Sequence, residues 1–84
     1  MTARTFDLGP DFRRLPKTDR YCYVCSRDLT PAHSAGGAVL IDEERDPHSA
    51  VHPGDATGVE ARHLVGRSCA RRVDPVFLLP EVTP

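Results

Sequence analysis

The chain has 84 residues, with 11 basic and 12 acidic side chains, 3 cysteines and no tryptophan. A chain of this size makes one domain with a thin core and usually needs a staple, whether disulfide, metal or partner. An odd cysteine count excludes a complete disulfide framework within the chain, and a net charge of −1 lacks the basic excess that marks most nucleic-acid-binding domains.

That small net charge hides a segregation. Residues 1–27 carry six basic and three acidic side chains, residues 28–60 one and seven, and residues 61–84 four and two. Met1-Thr2-Ala3-Arg4-Thr5-Phe6-Asp7 has no apolar stretch of signal-peptide type. The apolar run Val76-Phe77-Leu78-Leu79 is far too short for a membrane span. The expectation is a cytoplasmic protein with no membrane partner, where thiols stay reduced and clustered cysteines bind metal.

In chain order, residues 1–19 show no sustained period. Gly9-Pro10 and Leu15-Pro16 break them, which predicts an extended arm with the basic cluster Arg13-Arg14-Leu15-Pro16-Lys17. The zinc-binding domain is expected over 20–80 and a short tail over 81–84. Arg20-Tyr21-Cys22-Tyr23 reads as a strand entering a turn at Val24-Cys25-Ser26-Arg27. Ala38-Val39-Leu40-Ile41 is the best strand and ends in Asp42-Glu43-Glu44-Arg45-Asp46-Pro47. Residues 47–58 hold Pro and Gly enough to predict a loop or wide hairpin connection. Val59 to Val65 is the expected second strand, antiparallel to 38–42. Ser68 is placed to cap a short helix beginning at Cys69, and Asp74-Pro75 is a second helix start, with Asp as N-cap and Pro at the first position.

Two stretches hold all the cysteines: Tyr21-Cys22-Tyr23-Val24-Cys25 and His63-Leu64-Val65-Gly66-Arg67-Ser68-Cys69. Cys22-x-x-Cys25 puts two thiolates on one tight turn, and a third cysteine opening a helix suits a closed tetrahedral zinc site of three cysteines and a histidine. The expected ligands are Cys22, Cys25, Cys69 and His63, because Val65-Gly66 permits a turn that returns His63 and Cys69 to one ion. His33 and His52 are the alternatives for the fourth position. If no histidine closes the site, a position stays open for water.

Cys22-x-x-Cys25 followed by His63-Leu64-Val65-Gly66-Arg67-Ser68-Cys69-Ala70-Arg71-Arg72-Val73 resembles small treble-clef or zinc-ribbon-like proteins of phage and actinobacterial type. These pair a CxxC knuckle with a His-x-Val-Gly-x-x-Cys-Ala-basic segment. The resemblance implies a small zinc-stapled α+β domain of zinc knuckle, β-hairpin and short C-terminal helix, and implies no activity. Gly66 stands three before Cys69, where the fuller pattern has a cysteine, which leaves the fourth ligand open.

No enzyme is expected. A thioredoxin-like use of the CxxC needs a helix starting at its first cysteine, and Pro31 and Gly36-Gly37 follow too soon. His48-x-x-x-His52 has helical metal spacing, but Pro47, Pro53 and Gly54 oppose the helix. The chain has no Asn or Gln, which weakens a treble-clef nuclease and removes the usual reader of adenine. What remains is a binding module. The first expectation is interaction with another protein, as an inhibitor or adaptor of a host complex, through the acidic run Asp42, Glu43, Glu44 or the arm with Phe6, Leu8 and Phe12. The second is nucleic-acid binding through Arg67, Arg71 and Arg72 around Cys69, with Tyr21 or Tyr23 for stacking. The alternative for these arginines is pairing with the acidic middle segment.

Overall fold

A computed structural model describes residues 4–31 and 34–80. Four strands, β1 (Thr5–Asp7), β2 (Ala35–Asp42), β3 (Asp46–Val51) and β4 (Ala61–Gly66), are followed by a one-turn helix, α1 (Arg67–Ala70). They form one antiparallel sheet in the order β1-β3-β2-β4. The expected strand at 38–42 is longer at its N-terminal end, and its expected antiparallel partner runs over 61–66, with Leu40 opposite Arg62. Val59 stays outside the strand and exposed.

Residues 47–58, read as loop from their Pro and Gly, begin instead with a strand. β3 tolerates Pro47 because the proline stands second in the strand, beyond the reach of the short β1, whose pairing covers only Ser49 to Val51. Proline is admitted at such positions because no ladder N–H is needed there. Behind it, Ser49, Ala50 and Val51 are buried. The Pro53 signal survives as a single 3₁₀ turn, Pro53–Asp55, with His52 as its cap.

The segment expected as an extended arm lies against this body. Thr5–Asp7 pairs with β3 at the sheet edge, and Phe6 packs on Phe77 with ring centroids 5.6 Å apart. Beyond β3's end, Leu79 takes the place beside β2. It exchanges both backbone hydrogen bonds with Ala38, each 2.8 Å. The Asp74-Pro75 start gives a 3₁₀ turn over Pro75–Phe77 and not a longer helix, with the Asp74 carboxylate accepting the Val76 N–H.

The core is small. Its largest fully buried side chains are Ile41, Val39, Val65 and Cys22. Around them pack Tyr23, Leu29, Ala50, Ala70, Val73 and Phe77. One cysteine of the expected metal site therefore belongs to the hydrophobic core itself. Among the described residues no helix is long and apolar enough to cross a membrane.

Candidate metal centre

The knuckle is built from backbone first. Tyr21 bridges to Asp28, the Cys22 N–H donates to the Arg27 carbonyl at 2.9 Å, and the Ser26 N–H donates to the Cys22 carbonyl at 2.8 Å. Closing so tight a turn puts Ser26 at φ 60°, a conformation that non-glycine residues rarely adopt. Ser26 is buried, and its hydroxyl donates to the Asp11 carbonyl at 2.9 Å, which fastens the turn to the N-terminal segment. The Tyr23 N–H donates to the Leu64 carbonyl at 2.8 Å, which fastens it to β4.

α1 supplies the third thiol. The helix starts two residues before the expected Cys69, with Gly66 as its cap and no side-chain cap bond. Ser68 does not cap it, because it is the helix's second residue; the first, Arg67, gives its N–H to the Ser34 carbonyl at 3.0 Å. The residue just before β2 thus closes the helix start in place of a hydroxyl. β2 comes this close because residue 36 is glycine. A Cβ there would lie 2.8 Å from both the Ala70 Cβ and the Arg67 Cα.

These contacts bring the sulfurs of Cys22, Cys25 and Cys69 within 4.8 Å of one another, an arrangement that could hold a metal ion. Three sulfurs tetrahedrally bound to one zinc at about 2.3 Å sit about 3.8 Å apart, so the cluster closes on an ion with small side-chain movements. Burial pushes the Cys22 thiol up, but the backbone N–H groups of Cys25, Gly66 and Val24 and the Cys25 thiol outweigh it, and its net shift is downward. Cys69 is pushed up to about 12, by burial first and then by the charge and hydrogen bonding of Cys22 and Cys25. The cluster accepts negative charge at Cys22 and resists a second thiolate beside it. A divalent cation at the centre removes that resistance, because a bound cation inverts the local electrostatics.

Among the described residues no histidine joins this group. His63 lies on β4, its Nε2 2.5 Å from a Glu43 carboxylate oxygen and its ring 4.5 Å from that of Tyr23. The Cys22 sulfur takes the Gly66 N–H, and Gly66 is three strand residues past His63, about 10 Å along the strand. His52 Nδ1 accepts the Gly54 N–H at 2.9 Å and its ring meets Phe77 edge-on. His33 lies outside the described residues. The cluster is not sealed on every side: Cys69 lines a cavity of about 250 Å³ with Phe6, Leu8, Val24, Arg72 and Val73.

The charged candidates separate cleanly. Asp42, Glu43 and Glu44 occupy the β2–β3 turn, where Asp42 accepts the Arg45 N–H at 3.2 Å and Glu43 meets His63. The other carboxylates of the middle segment also have partners: Asp46 the His48 N–H and Glu60 the Thr57 and Gly58 N–H groups, close in sequence, and Asp28 the Lys17 and Thr18 N–H groups and Asp55 the Arg4 side chain, across the chain. Arg67, Arg71 and Arg72 are exposed around Cys69. Among the described residues none of the three has an ion-pair partner, so they do not pair with the acidic middle. Ser26, Gly36 and Asp28, which shape the site, carried almost no sequence signal beyond Ser26's place directly after the second cysteine.

No family model, curated protein or solved structure matches the chain.

Proposed function

We propose that the chain is a structural-zinc module that acts by binding another protein. The observation that carries the zinc is the convergence of the three cysteine sulfurs from a knuckle and a helix far apart in sequence. Thiolates of this kind favour zinc in a closed tetrahedron. Among the described residues no other group of three or more His, Cys, Asp or Glu side chains is close enough to hold a metal. The order of knuckle, antiparallel hairpin and one-turn helix supports a treble-clef-like reading. The departures are the insertion of β3 into the sheet order and a single cysteine from the helix.

The histidines among the described residues have other partners. His63 is engaged by Glu43 and Tyr23, and His52 by the 53–55 turn. His33 precedes by one residue Ser34, whose carbonyl holds the start of α1. We propose His33, one of the alternatives the sequence left open, for the fourth position, with water as the other candidate. Elemental analysis of purified protein is expected to give one zinc per chain, and the cobalt-substituted protein a thiolate-to-metal charge-transfer band. His33→Ala should alter that spectrum and weaken metal binding, while His63→Ala and His52→Ala leave both unchanged. Absence of stoichiometric zinc overturns the metal reading, and an altered spectrum in His63→Ala returns the fourth position to His63.

A second reading, nucleic-acid binding, rests on Arg67, Arg71 and Arg72 standing exposed with no ion pair among the described residues. Contacts of this kind weaken steeply as salt rises.

A further inference from the structure

The segment following β1 is tied to the knuckle at both ends. At one end the Asp11 N–H donates to the Val24 carbonyl at 2.9 Å, and the Ser26 hydroxyl donates to the Asp11 carbonyl. At the other, the Lys17 and Thr18 N–H groups donate to the Asp28 carboxylate at 3.0 and 2.9 Å. Residues 12–16 are thus held out as a loop on the metal-binding turn.

The loop displays what a chain so poor in apolar residues would be expected to bury. Leu15 is 85% exposed and Phe12 50%. The Phe12 ring is held from behind by edge contacts with Tyr23 and His48, at centroid distances of 5.8 and 5.3 Å, which leaves its outer part facing solvent. Phe12, Leu15, Pro16, Tyr21 and Tyr23 line a shallow depression of about 190 Å³, with Arg14 at its edge. The stretch from Phe12 to Thr18 carries three basic side chains and no acidic one; Asp11, just before it, pairs with the exposed Arg13 at 3.4 Å, which leaves Arg14, on the depression, to meet a partner.

We infer that this loop is a docking site for a short segment of a partner protein in which a bulky apolar side chain is flanked by Asp or Glu. The depression has room for one such side chain, and Arg14 on its lining complements a flanking carboxylate. The most exposed group is the aliphatic Leu15, beside Pro16. Of the rings that line the depression, Phe12 is packed edge-on by Tyr23 and His48 and Tyr23 is buried, so the group most in need of cover is aliphatic, which an apolar side chain of a peptide covers and a stacked nucleobase does not. The inference deepens the protein-binding reading and rests on the zinc reading, because Val24, Ser26 and Asp28 hold the loop from within the knuckle.

The test is selection of a displayed library of short random peptides on the zinc-loaded full chain, followed by fluorescence polarisation with the selected peptide. The expected winners carry Leu, Ile, Phe or Trp flanked by Asp or Glu. Their affinity should fall about tenfold or more in Leu15→Ser and in Arg14→Glu, while both variants keep their zinc content and circular dichroism spectrum. No enrichment, winners without acidic residues, or undiminished affinity in Leu15→Ser overturns the inference. Binding of an oligothymidylate of about ten nucleotides in place of any peptide also overturns it, in favour of the nucleic-acid reading. Zinc is assayed on the same samples, so failure of the metal reading shows as absent metal, independently of whether peptides bind.

Discussion

Asp28 does more for this fold than a surface carboxylate usually does. Its oxygens accept the N–H groups of Lys17 and Thr18 and the Thr18 hydroxyl, and its own backbone bridges to Tyr21 across the knuckle. The Lys17 N–H, followed by the Thr18 donors, holds its carboxyl below the usual range. A depressed folded-state value means that the carboxylate's contribution is complete above the ordinary carboxylate pKa. It is lost as pH falls through the depressed value. Asp28→Asn should therefore lower Tm at neutral pH, and the gap from the native protein should close as both are acidified below the ordinary carboxylate range. Thermal melts across that pH series check it; a gap that persists in acid would place the effect elsewhere. Ser26 shows the complementary case, in which a strained φ of 60° persists because two hydrogen bonds over-determine it.

At the scale of elements, the decisive contact is β2 against α1. A helix of four residues has too few internal bonds to stand alone, and its placement comes from the Ser34–Arg67 bond and from the absence of a side chain at residue 36. Gly36→Ala forces its Cβ against the Arg67 backbone, an overpacking that costs about 1–3 kcal/mol. The same push moves Cys69 away from Cys22 and Cys25. The expected result is a lower Tm together with weaker zinc retention against a competing chelator. A lower Tm with unchanged retention would show that α1 and the cysteine cluster are not mechanically linked. The turn of β2 into β3 is simpler: Asp42 caps its own turn and Glu43 reaches across to His63 on β4, so the acidic run is a hairpin tip.

For the whole molecule, the balance lies between a thin core and a metal. Val39, Ile41 and Val65 are fully buried, each stabilising by about 1.5–3 kcal/mol, against a conformational entropy cost of about 1–2 kcal/mol for every ordered residue. On the proposed reading, a structural zinc would contribute on the order of 10 kcal/mol of folding free energy, which would make the cysteine cluster the largest single stabilising element. Removal of zinc with a strong chelator should unfold the chain cooperatively, with loss of strand signal by circular dichroism, and zinc addition under reducing conditions should restore it. A chelated protein that keeps its sheet would show that β1 to β4 and Leu79 suffice alone. The docking loop should be lost with the knuckle, because its ties to Val24, Ser26 and Asp28 go with that turn.

The convergence of three cysteines was legible in the sequence because two of them share a turn and the third follows a strand that ends in glycine. The β2–β4 pairing was legible because Val39, Ile41 and Val65 lie in β-favouring apolar runs. β3 was not, since Pro47 and the glycines that follow mask a strand whose burial comes from β1 and the knuckle, both distant in sequence. The place of His63 was not legible either. Spacing to Cys69 permits a shared ion, but an extended strand carries His63 about 10 Å from the Gly66 end, and the hairpin then offers it Glu43. Chemistry written in short spacings, such as the CxxC knuckle, is determined locally. The remaining assignments depend on which strand lies beside which, and only the tertiary structure decides that, because the groups that satisfy each backbone and fill each gap come from elsewhere in the chain.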